Sequence, residues 1–506
     1  MVMDHLSSAG FPSHVEDLMK EHHVPGLAIA IVQNDTITSV AYGHASLSPS
    51  TPCTPDTLFD IASASKSMTA ASVGLLVDNN DEYPEVQYDA TMSSLLPDDF
   101  VMSEEQHTKG VTVEDILSHR TGMAPHDLSY LGPRASEPDN ARSVTRNLRN
   151  LAVGAPIRSK YMYCNMMYTV ATHLVESKTG ISFSDFLEKY FFGPLNMHST
   201  SLQPKLARAK GFSDRIATGY SYKEEQNIYH GFQTPDCPEG QGAGSIITSV
   251  NDYIKWVKAV MNQESPITDS VYKGLIKART FQNPNFEGLA PMTSPVTYAA
   301  GWEIFFYRGY MVVGHDGAVP GFGSRHFFLP DVKFGAVILG NSEGAGVVAA
   351  VVARELIDEV LNVPKPERPD WNEIERGDPP FSSEDYEKLR QSTCPGIGDS
   401  EPQKLPLVAY VGDYWNPGYR KMTVETVDDS LFINSMDRSF GSTFTLDHVC
   451  HQTQYIAHLI DDLGGVDEPV KVEFVLENDV AVRMGLHLEP ELKQMIWFDR
   501  VTAIPN

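Results

Sequence analysis

Apolar and polar positions are spaced differently along successive parts of the chain, and the spacing predicts the elements. Residues 11–25 carry apolar side chains at helical intervals up to Pro25-Gly26, which predicts an amphipathic helix. Leu27-Ala-Ile-Ala-Ile-Val-Gln and Thr36-Ile-Thr-Ser-Val-Ala-Tyr-Gly flank Asn34-Asp35, the pattern of a β-hairpin. Further helices are predicted over 66–77, 111–119 (opened by a Thr cap), 166–178 (closed by Gly180), 183–190, 251–261 and 347–361. Strands are expected at 300–307, 310–314, 324–329 and 334–339. Residues 80–110 are polar and turn-rich. Residues 124–157 have no clean period and are expected to form a long insertion over the functional site.

After Pro364 the pattern changes. Residues 364–406 are rich in Pro, Glu, Asp and Ser and predict an exposed linker. Residues 407–506 alternate with a period of about two in short runs, which predicts a small all-β barrel or sandwich. Leu431, Phe432, Phe474 and Trp497 are expected to fill its interior. The expected division is therefore 1–363, a linker at 364–406, and 407–506.

A chain of 506 residues with 42% hydrophobic content has room for more than one core. A formal net charge of −27, with no basic patch in the sequence, argues against binding nucleic-acid phosphates, so no nucleic-acid partner is expected. No apolar stretch is long enough to span a membrane. The five cysteines are odd in number and scattered, suggesting neither a zinc site nor a disulfide framework. Free thiols, with no leader pattern at Met1-Val-Met-Asp-His-Leu-Ser, make the cytoplasm the expected location.

The candidate chemistry begins in Leu58-Phe-Asp-Ile-Ala-Ser-Ala-Ser-Lys-Ser-Met. Ser63 and Lys66, three apart, share one face of a helix within hydrogen-bond reach. A serine hydroxyl needs a neighbour to take its proton, and a lysine serves when burial lowers its pKa. The pattern alone is cheap, since Ser270 and Lys273 repeat it. Tyr163 and Asn165 flank Cys164 at the mouth of a helix, where a tyrosine can share the proton with the lysine. Tyr414-Trp-Asn416 repeats that word as well. A third candidate is Gly314-His315-Asp316-Gly317-Ala318, between two predicted strands, where glycine lets backbone approach a substrate. Gly240-Gln-Gly-Ala-Gly lacks dinucleotide-loop spacing and is expected to be only a tight turn.

Taken in order, Ser-Ala-Ser-Lys, Tyr-Cys-Asn and His-Asp-Gly resemble the serine β-lactamase and penicillin-binding-protein superfamily, most of all its class C-like esterases and D-aminopeptidases. The flanking words His23-Val-Pro-Gly-Leu-Ala, Ile116-Leu-Ser-His-Arg-Thr-Gly-Met, Gly193-Pro-Leu-Asn-Met and Val319-Pro-Gly-Phe extend the likeness over about 23–363. Tyr410-Val-Gly-Asp-Tyr, Ser430-Leu-Phe and Ile496-Trp-Phe-Asp-Arg resemble a lipocalin-like C-terminal domain. The resemblance implies a mixed α/β (α+β) fold: an antiparallel sheet flanked by helices, an all-helical subdomain, then a small barrel.

It also implies roles. Ser63 would be the acylated nucleophile, Lys66 and Tyr163 the proton-transfer pair, and Asn165, His315 and Gly317 substrate-binding positions. The backbone N–H groups of Ser63 and Ala318 would form the oxyanion hole. His315 stands where many relatives carry lysine; a histidine there can change charge near neutral pH and is expected to face the acyl pocket. No metal or cofactor is implied. The expected activity is hydrolysis of a small ester, amide or lactam through an acyl-enzyme. Acyl transfer to an amine or alcohol, and a non-catalytic binding protein on the same scaffold, are the alternatives. The oligomeric state has no signature in the sequence.

Overall fold

The computed structural model describes residues 10–224, 226–377, 381–461, 463 and 467–502. The stretch Met1-Val-Met-Asp-His-Leu-Ser, on which the leader expectation rests, lies within 1–9, outside the described residues.

Five helices organise the first part: α1 (Gly10–Glu21), α2 (Lys66–Asp78), α3 (Met166–Thr179), α4 (Val250–Asn262) and α5 (Ala345–Val360). Of these, α1, α4 and α5 lie on a nine-stranded sheet of β1 (Gly26–Gln33), β2 (Thr36–Leu47), β3 (Ser50–Pro52), β4 (Thr280–Phe281), β5 (Thr297–Tyr298), β6 (Glu303–Tyr307), β7 (Tyr310–Val319), β8 (Phe322–Leu329) and β9 (Phe334–Gly340). The spatial order is β3-β2-β1-β9-β8-β7-β6-β5-β4, with every neighbouring pair antiparallel.

β1 is nearly continuous in apolar residues because both its faces are covered. Leu27, Ile29 and Ile31 pack with Val15 and Leu18 of α1 and Val348 and Val352 of α5. Ala28, Ala30 and Val32 join the opposite core with Trp256 and Val257 of α4. Ile29→Ala would open a cavity against α5 and cost about 3 kcal/mol. α2 is buried nearly all round, from Lys66 to Gly74 and at Leu76, and packs against α3 in the helical part. That burial takes Lys66 out of water.

Eight strands from Gly412–Asn416 to Ile496–Val501 close into a barrel, each paired with the next and the last with the first through Tyr414 and Arg500. Leu431 and Phe474 point inward as expected. Phe432 and Trp497 do not. Alternation puts Leu431 and Ile433, and Ile496 and Phe498, inside, so Phe432 and Trp497 lie on the partly exposed outer face. There the Arg483 guanidinium sits 4.9 Å from the Trp497 ring.

Three further expectations change. The stretch at 364–406 is exposed over most of its described residues, but it is not without structure: it holds helices Trp371–Glu375 and Ser383–Thr393. Trp371 is buried against α5 and donates its indole N–H to Asp358 Oδ2 at 2.7 Å. A polar average composition concealed a few anchoring apolar side chains. The cysteines are not all free, since Cys394 and Cys450 form a disulfide tying this stretch to the barrel, while Cys53, Cys164 and Cys237 remain thiols. The inference of a reducing compartment from scattered cysteines loses its basis with that pair. The region 124–157 is partly helical, with Ala141–Asn147 capped by Asn140. No helix among the described residues is long and apolar enough to cross a membrane.

The barrel and the first part share one apolar core, in which Leu151, Met162, Tyr419 and Leu492 all take part. Polar contacts reinforce it: Asn147 Nδ2 donates to Gly418 O at 2.8 Å, and Leu131 and Arg438 form a backbone bridge.

Candidate active site

Ser63 lies in a short 3-10 turn, Ala62–Ser65, that runs into α2. The turn is strained, because Ala62 has a left-handed backbone with φ 47°. Asp60 holds it: Oδ1 accepts the Ala62 N–H at 2.8 Å, and Oδ2 accepts the Thr234 hydroxyl at 3.0 Å. Burial raises the Asp60 carboxyl to about 6. From the sheet side, Ser324 Oγ of β8 donates to Ile61 O at 2.8 Å. Gly317 of β7 presses against the same turn, and a Cβ there would stand 2.2 Å from Ile61 O. Its neighbour Ala318 is exposed.

Ser63 Oγ has two close polar neighbours. Tyr163 Oη donates to it at 2.8 Å and Lys66 Nζ at 2.9 Å. Lys66 Nζ also donates to Asn165 Oδ1 at 2.8 Å and to Ala243 O at 2.8 Å. It sits 4.8 Å from the Tyr163 ring centre and 5.5 Å from that of Tyr168. Lys66 is fully buried, and loss of water lowers its ammonium to about 7, although the Asp127 carboxylate opposes the shift. Burial pushes the Tyr163 phenol well above its ordinary range, only partly offset by its bond to Ser63, so it stays protonated.

Asn165 is fixed from the other side. Its Nδ2 donates to Asp127 Oδ1 and Oδ2 at 3.3 and 3.4 Å. Burial raises Asp127 to about 6, against the opposing effects of Asn165 and Lys66. His119 lies behind Tyr163, ring centres 4.2 Å apart, and its Nδ1 accepts the Cys164 N–H at 3.1 Å.

His315 differs from its expectation. It is buried, and both ring nitrogens are engaged within the chain. Nδ1 donates to Asp316 O at 2.6 Å and Nε2 accepts the Tyr298 hydroxyl at 2.8 Å. Burial, with the nearby Lys66 charge, lowers it to about 4, so it does not change charge near neutral pH.

The structure brings Ser63, Lys66, Tyr163 and Asn165 together, with Gly317 against the Ser63 turn and His315 behind Tyr298. The duplicate motifs lie elsewhere. Lys273 pairs with Asp269 on the surface, and the Tyr414 hydroxyl donates to Tyr410 O inside the barrel. Sequence reasoning missed Ala243, which the glycine-rich turn delivers to Lys66. Gly242 there has φ 83°, and a Cβ would strike Thr172. It also missed Asp60 and Asp127, single carboxylates without a spacing signal. Among the described residues, the only group of His, Cys, Asp and Glu side chains close enough to share a metal ion is Cys394, Cys450 and His451, whose cysteines are the disulfide.

The nine-stranded sheet, the helical part and this cluster have the arrangement of a β-lactamase fold. Residues 11–360 match the family described as Beta-lactamase, and residues 398–500 match one described as a domain of unknown function (DUF3471). The "Unguisins hydrolase ungD'" of Aspergillus campestris is 33% identical, over 97% of this chain and 91% of its own length. A D-aminopeptidase of Brucella ovis is 27% identical, over 71% of this chain and 64% of its own length. The octameric penicillin-binding protein homologue of Pyrococcus abyssi shares the fold at 19% identity, with a TM-score of 0.57 and coverage of 96% of this chain and 98% of its own. The chain belongs to the Beta-lactamase family.

Proposed function

We propose that this protein is a serine hydrolase that cleaves an amide or ester bond of a small molecule through an acyl-enzyme on Ser63. The observation that carries the proposal is the buried Lys66 amine with three partners. Asn165 Oδ1 and Ala243 O can only accept, so a neutral Lys66 spends its two N–H groups on them and turns its lone pair to Ser63 Oγ. Ser63 then gives its proton to Lys66 as its oxygen attacks the substrate carbonyl. Tyr163, whose phenol keeps its proton, donates to Ser63 Oγ before attack and passes a proton to the leaving group as the tetrahedral intermediate collapses. Lys66 returns a proton through the same network, and water releases the acyl group.

The N–H groups of Ser63 and Ala318 serve the developing oxyanion, each worth about 3 kcal/mol in the transition state. Gly317, without a side chain, keeps β7 close enough for this. Asn165 orients Lys66 and meets the substrate. His315, with its neutral ring, fixes Tyr298 behind the pocket. The hydrolase unit is assigned to 1–363 and the barrel unit to 407–506, joined by 364–406. The relative named as a D-aminopeptidase supports an amide substrate over an ester.

A panel of ester, β-lactam and D-amino-acyl amide substrates tests this, with product analysis in the presence and absence of an added amine. Hydrolysis of at least one member, blocked by a fluorophosphonate, is the expected result. Aminolysis products dominating over acid would favour acyl transfer.

The pH dependence follows from Lys66. Its amine is the reactive form and its pKa is lowered to about 7, so acylation rises with pH through that value and levels above it. At pH 5 the single-turnover acylation rate is expected to be about a hundredfold below its plateau. Stopped-flow acylation by an activated ester measures it, and a rate flat from pH 5 to 9 would contradict Lys66 as the base.

A further inference from the structure

The first part and the barrel meet at a buried polar chain that ends beside the serine site. His126 directly precedes Asp127 and has a left-handed backbone, φ 52°. Its ring is fully buried. Nε2 faces Ala152 O at 2.8 Å and Nδ1 faces the hydroxyl of Tyr419 at 2.7 Å. Tyr419 comes from the barrel turn that ends at Arg420 and is itself buried. Its hydroxyl also lies 3.1 Å from Glu489 Oε1, on the barrel segment between strands Val480–Leu486 and Ile496–Val501. The carboxyl of Glu489 additionally takes a hydrogen bond from the His126 backbone.

Proton counting orders this chain. A carbonyl oxygen only accepts, so His126 carries its proton on Nε2. Burial lowers His126 to about 4, so the ring is neutral and Nδ1 is an acceptor. Tyr419 has one proton for two acceptors, His126 Nδ1 and Glu489 Oε1, and its hydroxyl ties the ring to the barrel carboxyl. Burial and nearby Asp127 raise that carboxyl to about 7, against the bonds it accepts from the His126 backbone and from Tyr419. The barrel thus grips His126 at its ring and its backbone. The next residue, Asp127, holds Asn165, and Asn165 holds Lys66.

We propose that Tyr419 and Glu489 of the C-terminal barrel are positioning residues for the serine site, setting through His126 the place of Asp127 beneath Asn165 and Lys66. This rests on the reading of Ser63 and Lys66 given above. The barrel is then part of the acylation apparatus through two side chains that touch no substrate.

The test uses the full chain with four variants: Tyr419→Phe, Glu489→Ala, Glu489→Gln and, as reference, Ser63→Ala. Tyr419→Phe removes the hydroxyl facing His126 with no change of shape. It is expected to lower kcat for an amide or ester by about tenfold or more, with KM within about threefold. It should also move the acidic limb of the acylation profile to lower pH. Lys66 is faced by the Asp127 carboxylate, which favours its charged form, and by neutral Cys164, His119 and His315. A displaced Asp127 carboxylate leaves the ammonium less supported. Glu489→Ala should behave alike. Glu489→Gln keeps an amide oxygen and N–H groups as partners for the Tyr419 hydroxyl and the His126 backbone, so it should restore kcat and the limb to near the parent values.

A folded Tyr419→Phe protein with parental kcat and parental limb would overturn the proposal, as would a loss confined to melting temperature or KM. So would Glu489→Gln falling as far as Glu489→Ala. If Ser63→Ala keeps parental activity, the serine reading itself fails and this proposal falls with it. If Ser63→Ala is inactive and Tyr419→Phe is unchanged, only the positioning role fails.

Discussion

Ser63→Ala is expected to abolish turnover, with a fall of about a hundred-thousand-fold or more in kcat, while the melting temperature stays within a few degrees of the parent. The oxygen removed is the one that both Lys66 and Tyr163 contact. The neighbouring hydroxyls of the turn and helix are engaged elsewhere. Ser65 directs its Oγ to the Ile246 N–H at 3.3 Å, and Ser67 donates to Ala64 O at 3.0 Å. Folding is spared because the turn is held by backbone and by Asp60, Ser324 and Gly317, none of which uses the Ser63 hydroxyl. Residual activity after substitution would come from the oxyanion donors and bound water alone. Steady-state kinetics with the best substrate of the panel, alongside thermal melting, measures both halves of this expectation.

Lys66→Ala and Tyr163→Phe are each expected to slow acylation by about a thousandfold, and the double variant to be little worse than the poorer single one. Both side chains bond to the one Ser63 oxygen and pass protons through one network, in which Lys66 must recharge Tyr163, so removing either disables the relay. The two losses differ in pH behaviour. Without Lys66 the limb near pH 7 vanishes, since its lowered amine is the group that titrates there. Without Tyr163 the limb stays, because the phenol remains protonated through that range. Losses that multiply in the double-mutant cycle would mean that two independent groups serve two separate steps.

Much of this site could be read from the sequence because its parts are local words. Ser63 and Lys66 are one helical turn apart, and Tyr163 and Asn165 open the next long helix. Their order and flanking residues distinguished them from the duplicates at Ser270 and Tyr414, which the fold places on a surface and inside a barrel. The hairpin of β1 and β2 and the strands β6 to β9 were likewise legible, and most plainly β1 and β9, since a strand covered on both faces is written as an unbroken apolar run. The contacts that were not legible are long-range and made by the backbone or by one side chain. Ala243 acts through its carbonyl, which no residue type marks. Asp127 is one carboxylate in an aperiodic region, brought beneath Asn165 by the left-handed His126. In the barrel, one step of alternation decides whether Phe432 or Leu431 points inward, and the run Ser430-Leu-Phe-Ile-Asn reads either way. The Cys394–Cys450 pair joins residues 56 apart, a separation that composition does not reveal.

The most direct measurement of the central claim is intact-protein mass spectrometry after reaction with a fluorophosphonate or an activated ester, followed by peptide mapping. The expected result is a single stoichiometric adduct on the peptide containing Ser63, absent from Ser63→Ala and formed slowly in Lys66→Ala. An adduct on Ser270 or elsewhere, or a protein that turns over substrate without ever carrying an acyl group on Ser63, would contradict it.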